Sequence, residues 1–391
     1  MSYRVIAPLA AMSVMVSAAP AFAAAPPLPP GGAAILSWTP EQQAYGYRNM
    51  EKIAPVHIVK RGDHVRALQA GKPIAPKWTY DGKAWTIDGY MAAMRTSGLI
   101  VLKDGKVVLE RYGLGRKPDE RWTSFSVAKS VTSTLVGAAI QDGYIKSLDE
   151  PVTTYIPQLK GGGYDGVTVR QLITMTSGVK WNEDYTDPNS DVAKVGFAAS
   201  EPGVNPVVSY MRNLPRETAP GETFVYKTGE TDLAGILVSN AVGMPTSQYL
   251  SEKIWAPFGM EQDAIWVDDV AGHERGGCCM SMTLRDYARI GLFMLEGGKA
   301  GGKQVVPAGW VADATSAHVK FPPGGNETGY GYFWWLYPDA YAAEGIFGQQ
   351  IFVYPKEKVV IAINSAWPAA DDPKAWKAQA AMADALRDAA R

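Results

Sequence analysis

Trp122-Thr-Ser-Phe-Ser-Val-Ala-Lys-Ser-Val-Thr-Ser-Thr-Leu-Val-Gly-Ala-Ala-Ile-Gln-Asp-Gly143 is the stretch that decides the fold of this chain. Val127, Val131, Leu135 and Ile140 recur near helical spacing and Gly143 is a natural stop, so the segment reads as a buried helix. Ser126 falls at or just inside its N-terminus. Lys129 lies one turn further on the same face, within reach of the hydroxyl. A serine hydroxyl is a weak nucleophile at neutral pH, and a neighbouring amine takes its proton once burial or nearby positive charge lowers the amine's pKa. The helix start adds unpaired N–H groups and the positive end of a dipole, which suit a developing oxyanion. Alone, Ser-x-x-Lys arises by chance about once in a chain of this length, and it then reads as a polar helix start followed by a solvated lysine.

The 391 residues allow two to three domains, or one large α/β unit with an insertion. With 47% apolar and 20% charged residues the chain has the makings of a full core. A net charge of −1 gives no basis for a nucleic-acid or anionic-membrane partner. The first residues read as a secretory signal: Arg4, an apolar run over 5–19 too short to span a bilayer, and the small-x-small site Ala21-Phe22-Ala23. The chain is therefore expected in the periplasm or outside the cell, cut to begin at Ala24 and without a stable membrane anchor. The other reading of the same run is an N-terminal anchor. The adjacent Cys278 and Cys279 read as small buried apolar residues, with a vicinal bridge as the alternative. His57, His64, His273 and His318 are scattered, no metal-ligand spacing is present, and no cofactor is expected. There is no Gly-x-Ser-x-Gly elbow.

Residues 24–45 are rich in Ala, Pro and Gly and read as an extended leader. Residues 97–112 read as a hairpin turning at Asp104-Gly105. Helical patterns fill the middle of the chain, and strands return after residue 330. The economical architecture is α/β: one sheet built from both chain ends (46–135 and 297–391), flanked by helices, with a mostly helical domain over 136–296.

Five motifs in order then carry a resemblance. They are Ser126-x-x-Lys129; Leu172-Ile-Thr-Met-Thr-Ser-Gly178; Tyr226-Lys-Thr-Gly-Glu-Thr-Asp-Leu-Ala-Gly235; the run from Gly277 to Gly291; and Gly345-Ile-Phe-Gly-Gln-Gln-Ile-Phe-Val-Tyr-Pro355. The set resembles the serine β-lactamase-like family of class C β-lactamases, D-alanyl-D-alanine carboxypeptidases and esterases. It is most similar to the 6-aminohexanoate-dimer (nylon-oligomer) hydrolases, over roughly residues 35–385. The resemblance implies a β-lactamase/transpeptidase-like fold with an antiparallel sheet. It implies Ser126 as the acylated nucleophile, Lys129 as base and Tyr226 as the partner that protonates the leaving group. A phenol beside an ammonium has a lowered pKa, so Lys129 and Tyr226 are expected to shuttle a proton near neutrality. From its residues alone, Tyr226 reads first as a half-buried packing aromatic in a turn.

The family's third motif falls on Ala343-Glu344-Gly345, read here as substrate-binding, with Ile346 and Ser126 giving the oxyanion-hole N–H groups. Relatives place Lys or His where Ala343 stands and use it to bind a substrate carboxylate. Its absence favours small-molecule ester or linear amide substrates over β-lactams. The loop after Gly178 supplies Trp181 and Tyr185 as substrate-binding residues, Tyr185 by resemblance closing over the scissile amide. A loop aromatic covering the helices is the other reading of Tyr185. Two further functions stay open beside an exported ester or amide hydrolase: a β-lactamase or D-alanyl-D-alanine carboxypeptidase, and a non-catalytic sensor on a penicillin-recognising fold.

Overall fold

The two ends of the chain meet in one sheet. The computed structural model describes residues 26–196 and 199–391, so the signal segment and its cleavage site lie outside the described residues. Eight strands form an antiparallel sheet, and the chain ends join where Val359–Ser365 pairs with Thr96–Lys103, bringing Ile361 opposite Val101. Thr96–Lys103 turns at Asp104-Gly105, both at positive φ, into Lys106–Tyr112. On the other side come Gln349–Tyr354, then Tyr341–Gly345, then shorter pieces out to Val319–Lys320.

Alternation along the strands gives the sheet two apolar faces. Ile100 and Leu102 face a core built with the helices Val127–Gln141 and Leu284–Leu295, while Leu99 and Val101 face the C-terminal helix Pro373–Ala389. Gly291 marks how closely the helix Leu284–Leu295 lies on the sheet, since a Cβ there would fall 2.5 Å from Val360. The helix Val127–Gln141 is buried throughout residues 127–139, and its hydroxyls at Ser130, Thr132, Ser133 and Thr134 each donate to a backbone carbonyl, as groups enclosed between sheet and helical region must. Thr228–Val242 packs against it and stops at Gly243 in the left-handed conformation.

Three sequence expectations are corrected here. The segment read as an extended leader forms a 3-10 turn over Gly32–Ser37 and a capped helix over Pro40–Gly46, because Trp38 buries against Tyr47. The helix-rich middle contributes strands Ala264–Val267 and Met280–Met282 to a second, four-stranded sheet with Val56–Val59 and Trp122–Thr123. That short sheet fixes the chain just before Ser126. The adjacent cysteines are bridged to each other, Cys278 to Cys279.

Candidate active site

Ser126 sits at the N-cap of the helix Val127–Gln141. The residue before it, Phe125, has φ +43, a conformation that costs a non-glycine residue of order 1–3 kcal/mol. Aromatic packing holds it: the Phe125 ring lies 5.2 Å from both Tyr47 and Phe347. Ser124 lies on the other side of the same turn, its Oγ accepting from the Met280 N–H and its backbone N–H donating to the Met280 carbonyl. The nucleophile loop is thus clamped from both sides.

Lys129 is buried and its Nζ donates to Ser126 Oγ (2.8 Å), Thr228 Oγ1 (3.0 Å) and the Gly277 carbonyl (2.8 Å). Burial pushes this amine down to about 8, against Glu183 and Asp232, which raise it, while Arg275 lowers it further. Two positioning chains stand behind the three contacts. Asp232 accepts from the Gly277 N–H at 2.8 Å and so fixes that carbonyl. Glu183 accepts from the Thr228 N–H at 2.9 Å and from the Thr228 hydroxyl.

Tyr226 packs beside Lys129 and Ser126. Its ring centroid is 5.1 Å from Lys129 Nζ, it stacks on Trp335 at 5.5 Å, and its hydroxyl is within hydrogen-bonding reach of Ser126. Burial, and behind it the Glu183 charge, push the phenol well above its ordinary range. The expected lowered pKa of Tyr226 is therefore corrected: of the pair, the lysine gives up its proton near neutrality and the tyrosine keeps its own. The turn beneath Tyr226 is pinned by Met175, at φ +57, whose carbonyl accepts from Val225 and whose sulfur accepts from the Lys227 N–H.

Gly345 ends its strand against the nucleophile loop, where an added Cβ would fall 2.4 Å from the Ser124 carbonyl and 2.9 Å from the Ser126 nitrogen. Ile346, next along, lines the cleft beside Ser126. Neither the Ser126 nor the Ile346 N–H donates to a backbone carbonyl among the described residues. Both therefore remain free for a carbonyl oxygen placed at Ser126 Oγ.

Two cavities meet at Ser126, Tyr185 and Ile346. One, of about 600 Å³, runs past Tyr226 and Trp335 and is edged by Glu183, Asp184, Glu327, Glu344 and Asp371. The other, of about 280 Å³, is walled largely by apolar residues. Glu344 is 9% exposed; it accepts from Tyr337 and Gln350, and burial first and Glu327 second push its carboxyl up to about 8.

Two proposed substrate contacts are corrected. Ala343 points into the core opposite Ile351, and Trp181 is buried with its indole N–H on Glu183; neither lines the cleft. Tyr185 does line it, donating to Glu183 Oε1 at 2.8 Å. Glu183, Thr228 and Gly277 were not singled out from the sequence. The one available signal was the density of acids between Trp181 and Asp191.

Fold and site together define a serine hydrolase of the β-lactamase type. The β-lactamase family matches residues 85–384, and the chain belongs to it. It is 34% identical to the 6-aminohexanoate-dimer hydrolase of Paenarthrobacter ureafaciens over 294 residues, 71% of this chain and 74% of that one. In fold it is similar to a Bacillus anthracis protein provisionally named a 6-aminohexanoate-dimer hydrolase (TM-score 0.79, 22% identity, 90% and 95% of the two chains). It is also similar in fold to a family VIII carboxylesterase (TM-score 0.58, 17% identity, 78% and 95%).

Proposed function

We propose that this chain is an exported hydrolase of small esters and linear amides that works through an acyl-enzyme on Ser126. The observation that carries the reading is the 2.8 Å contact between the buried Lys129 amine and Ser126 Oγ, with Tyr226 beside both residues. Lys129 in its neutral form takes the Ser126 proton as Oγ bonds to the substrate carbonyl carbon. The carbonyl oxygen gathers charge between the Ser126 and Ile346 N–H groups. The C–O or C–N bond then breaks, and the leaving group departs with a proton from Tyr226, which Lys129 restores. Water, deprotonated by the same pair, cleaves the acyl-enzyme. Tyr185 covers the leaving group, and an amide needs that help more than an ester because an amine departs badly unprotonated.

The relative named a 6-aminohexanoate-dimer hydrolase is the reason to include linear amides. A β-lactamase or carboxypeptidase activity fits the cleft less well. The side chain at 343 is a buried alanine, and the carboxylate of such a substrate would meet Glu344, Glu327 and Asp371 with no Lys or Arg among the residues lining that cavity. The test is to treat the active protein with a fluorophosphonate and map the adduct by mass spectrometry, beside turnover of p-nitrophenyl butyrate and nitrocefin. Labelling of Ser126, loss of turnover in Ser126→Ala, and slower nitrocefin than ester are expected. A label on another serine sinks the mechanism, and nitrocefin turned over as fast as the ester sinks the substrate class.

A further inference from the structure

The two cavities that meet at Ser126 differ in kind, and Tyr226 tells which half of a substrate each one receives. A group that protonates the leaving atom must stand beside it. Tyr226 lines the acidic cavity, so the leaving group departs there. The acyl half then enters the other cavity. Part of its wall comes from a region the catalytic motifs do not touch, Ile35 and Leu36 from the Gly32–Ser37 turn with Met50 and Ile53 further along the chain; Cys278 and Ile346, which belong to two of the motifs, complete it.

The turn that supplies Ile35 and Leu36 is a built part of the molecule. Trp38 closes it by donating its indole N–H to the Pro30 carbonyl at 2.8 Å. The Trp38 ring packs on Tyr47, and Tyr47 packs on Phe125, the residue before the nucleophile. Gly46 has no room for a side chain, since a Cβ would fall 2.3 Å from the Trp38 ring. Ile35 and Leu36 stay half-buried, with their apolar groups turned to the cavity.

Charged side chains also reach this cavity, and its two carboxylates are hydrogen-bonded. Asp268 is paired with His57 Nδ1 at 2.7 Å. Asp269 accepts from Asn205 and from the N–H groups of Ala271 and His273, and Arg275 faces Asp232 at 3.7 Å. Arg275 Nε makes no hydrogen bond among the described residues, and the rest of the wall that meets a substrate is largely apolar.

We infer that this cavity is an acyl-chain pocket for unbranched aliphatic acyl groups, and that Ile35 and Leu36 of the N-terminal turn set the length it accepts. The inference rests on the acyl-enzyme reading above. The experiment is a series of p-nitrophenyl esters from acetyl to decanoyl, assayed on the full chain and on Ile35→Trp, Ile35→Ala and Leu36→Ala. Each methylene that enters an apolar pocket raises kcat/KM by about fourfold until the pocket is full. In the unaltered protein the rate is expected to climb in such steps and then fall. Ile35→Trp lowers the hexanoyl-to-acetyl ratio of kcat/KM by about tenfold or more, and the two alanine variants move the optimum to longer chains. These ratios compare substrates on one protein, so a general loss of folded enzyme cancels from them. A flat series, or the same optimum in the unaltered protein and both alanine variants, overturns the inference while leaving the hydrolase reading in place. No turnover of any ester overturns both.

Discussion

At the scale of single residues the site is a problem in proton placement. Lys129 accepts the Ser126 proton only as a neutral amine, and burial has brought its pKa to about 8. The sign follows: below pH 8 the amine is increasingly protonated and cannot act as base, so kcat/KM falls about tenfold per pH unit, and above pH 8 it levels. The charged groups that bear on Lys129 are Glu183 and Asp232, which hold its pKa up, and Arg275, which holds it down. Glu183→Gln removes one of the two negative charges while leaving an oxygen for Thr228. The pH–rate limb is then expected to move to lower pH, with kcat reduced because Tyr185 and Thr228 lose a charged acceptor. A limb that stays in place, or moves up, shows that the carboxylate does not act on the lysine. A purely structural defect would lower the rate without moving the limb. Glu344 also titrates near 8, so the profile is measured in Glu344→Gln as well, where the lysine limb is expected to persist.

At the scale of elements, the strand Tyr341–Gly345 and the helix Val127–Gln141 are held in register by one missing side chain. Gly345→Ala drives a methyl into the Ser124 carbonyl and the Ser126 nitrogen, so the strand end has to move away from the nucleophile. The Ile346 N–H moves with it. Loss of one oxyanion donor lowers kcat by about 10²–10³-fold, and the crowding destabilises the fold by roughly 1–3 kcal/mol. The check is kcat beside a thermal melt of the same preparation; an unchanged kcat would mean that Ile346 gives no oxyanion donor. The sequence showed what is local. Ser126 and Lys129 are three residues apart on one helix, and the Asp104-Gly105 hairpin announces itself by its turn. The pairing of 96–103 with 359–365 could be argued because both runs are continuously apolar, as strands buried on both faces must be. Glu183 stayed hidden because its meaning depends on Thr228, 45 positions away, and an acid in a polar loop looks like any solvated one. Ala343 and Trp181 misled for the opposite reason. Motif position named them as contacts, but strand alternation turns the first into the core and the Glu183 carboxylate draws the second behind the site. The leader misled through its composition, because proline and glycine conceal how firmly one buried tryptophan, Trp38, anchors a turn.

At the scale of the whole molecule, charge is distributed unevenly about the nucleophile although the chain as a whole is nearly neutral. Glu183, Asp184, Glu327, Glu344 and Asp371 edge the cavity proposed for the leaving group, and Trp335 and Trp376 give it flat apolar walls. Such a cavity concentrates cations and repels anions, an effect that weakens as salt screens it. The field acts on the departing half of a substrate, so it is read by keeping the acyl group constant and changing only what leaves. The butanoyl ester of choline, with a cationic leaving group, is expected to have a kcat/KM about tenfold or more above that of the butanoyl ester of glycolate, whose leaving group is anionic. The ratio narrows as sodium chloride is raised from 10 mM toward about 1 M, where the Debye length falls from about 30 Å to about 3 Å. It widens as pH passes about 8, because Glu344 then loses its proton and adds one more negative charge to the cavity. Lys129 titrates over the same range, but it serves both esters alike and cancels from the ratio. In Glu344→Gln the pH-dependent part of the preference disappears while the salt-dependent part remains. A glycolate ester turned over as well as the choline ester at low salt would mean that the leaving group departs on the other side of Ser126, away from Tyr226.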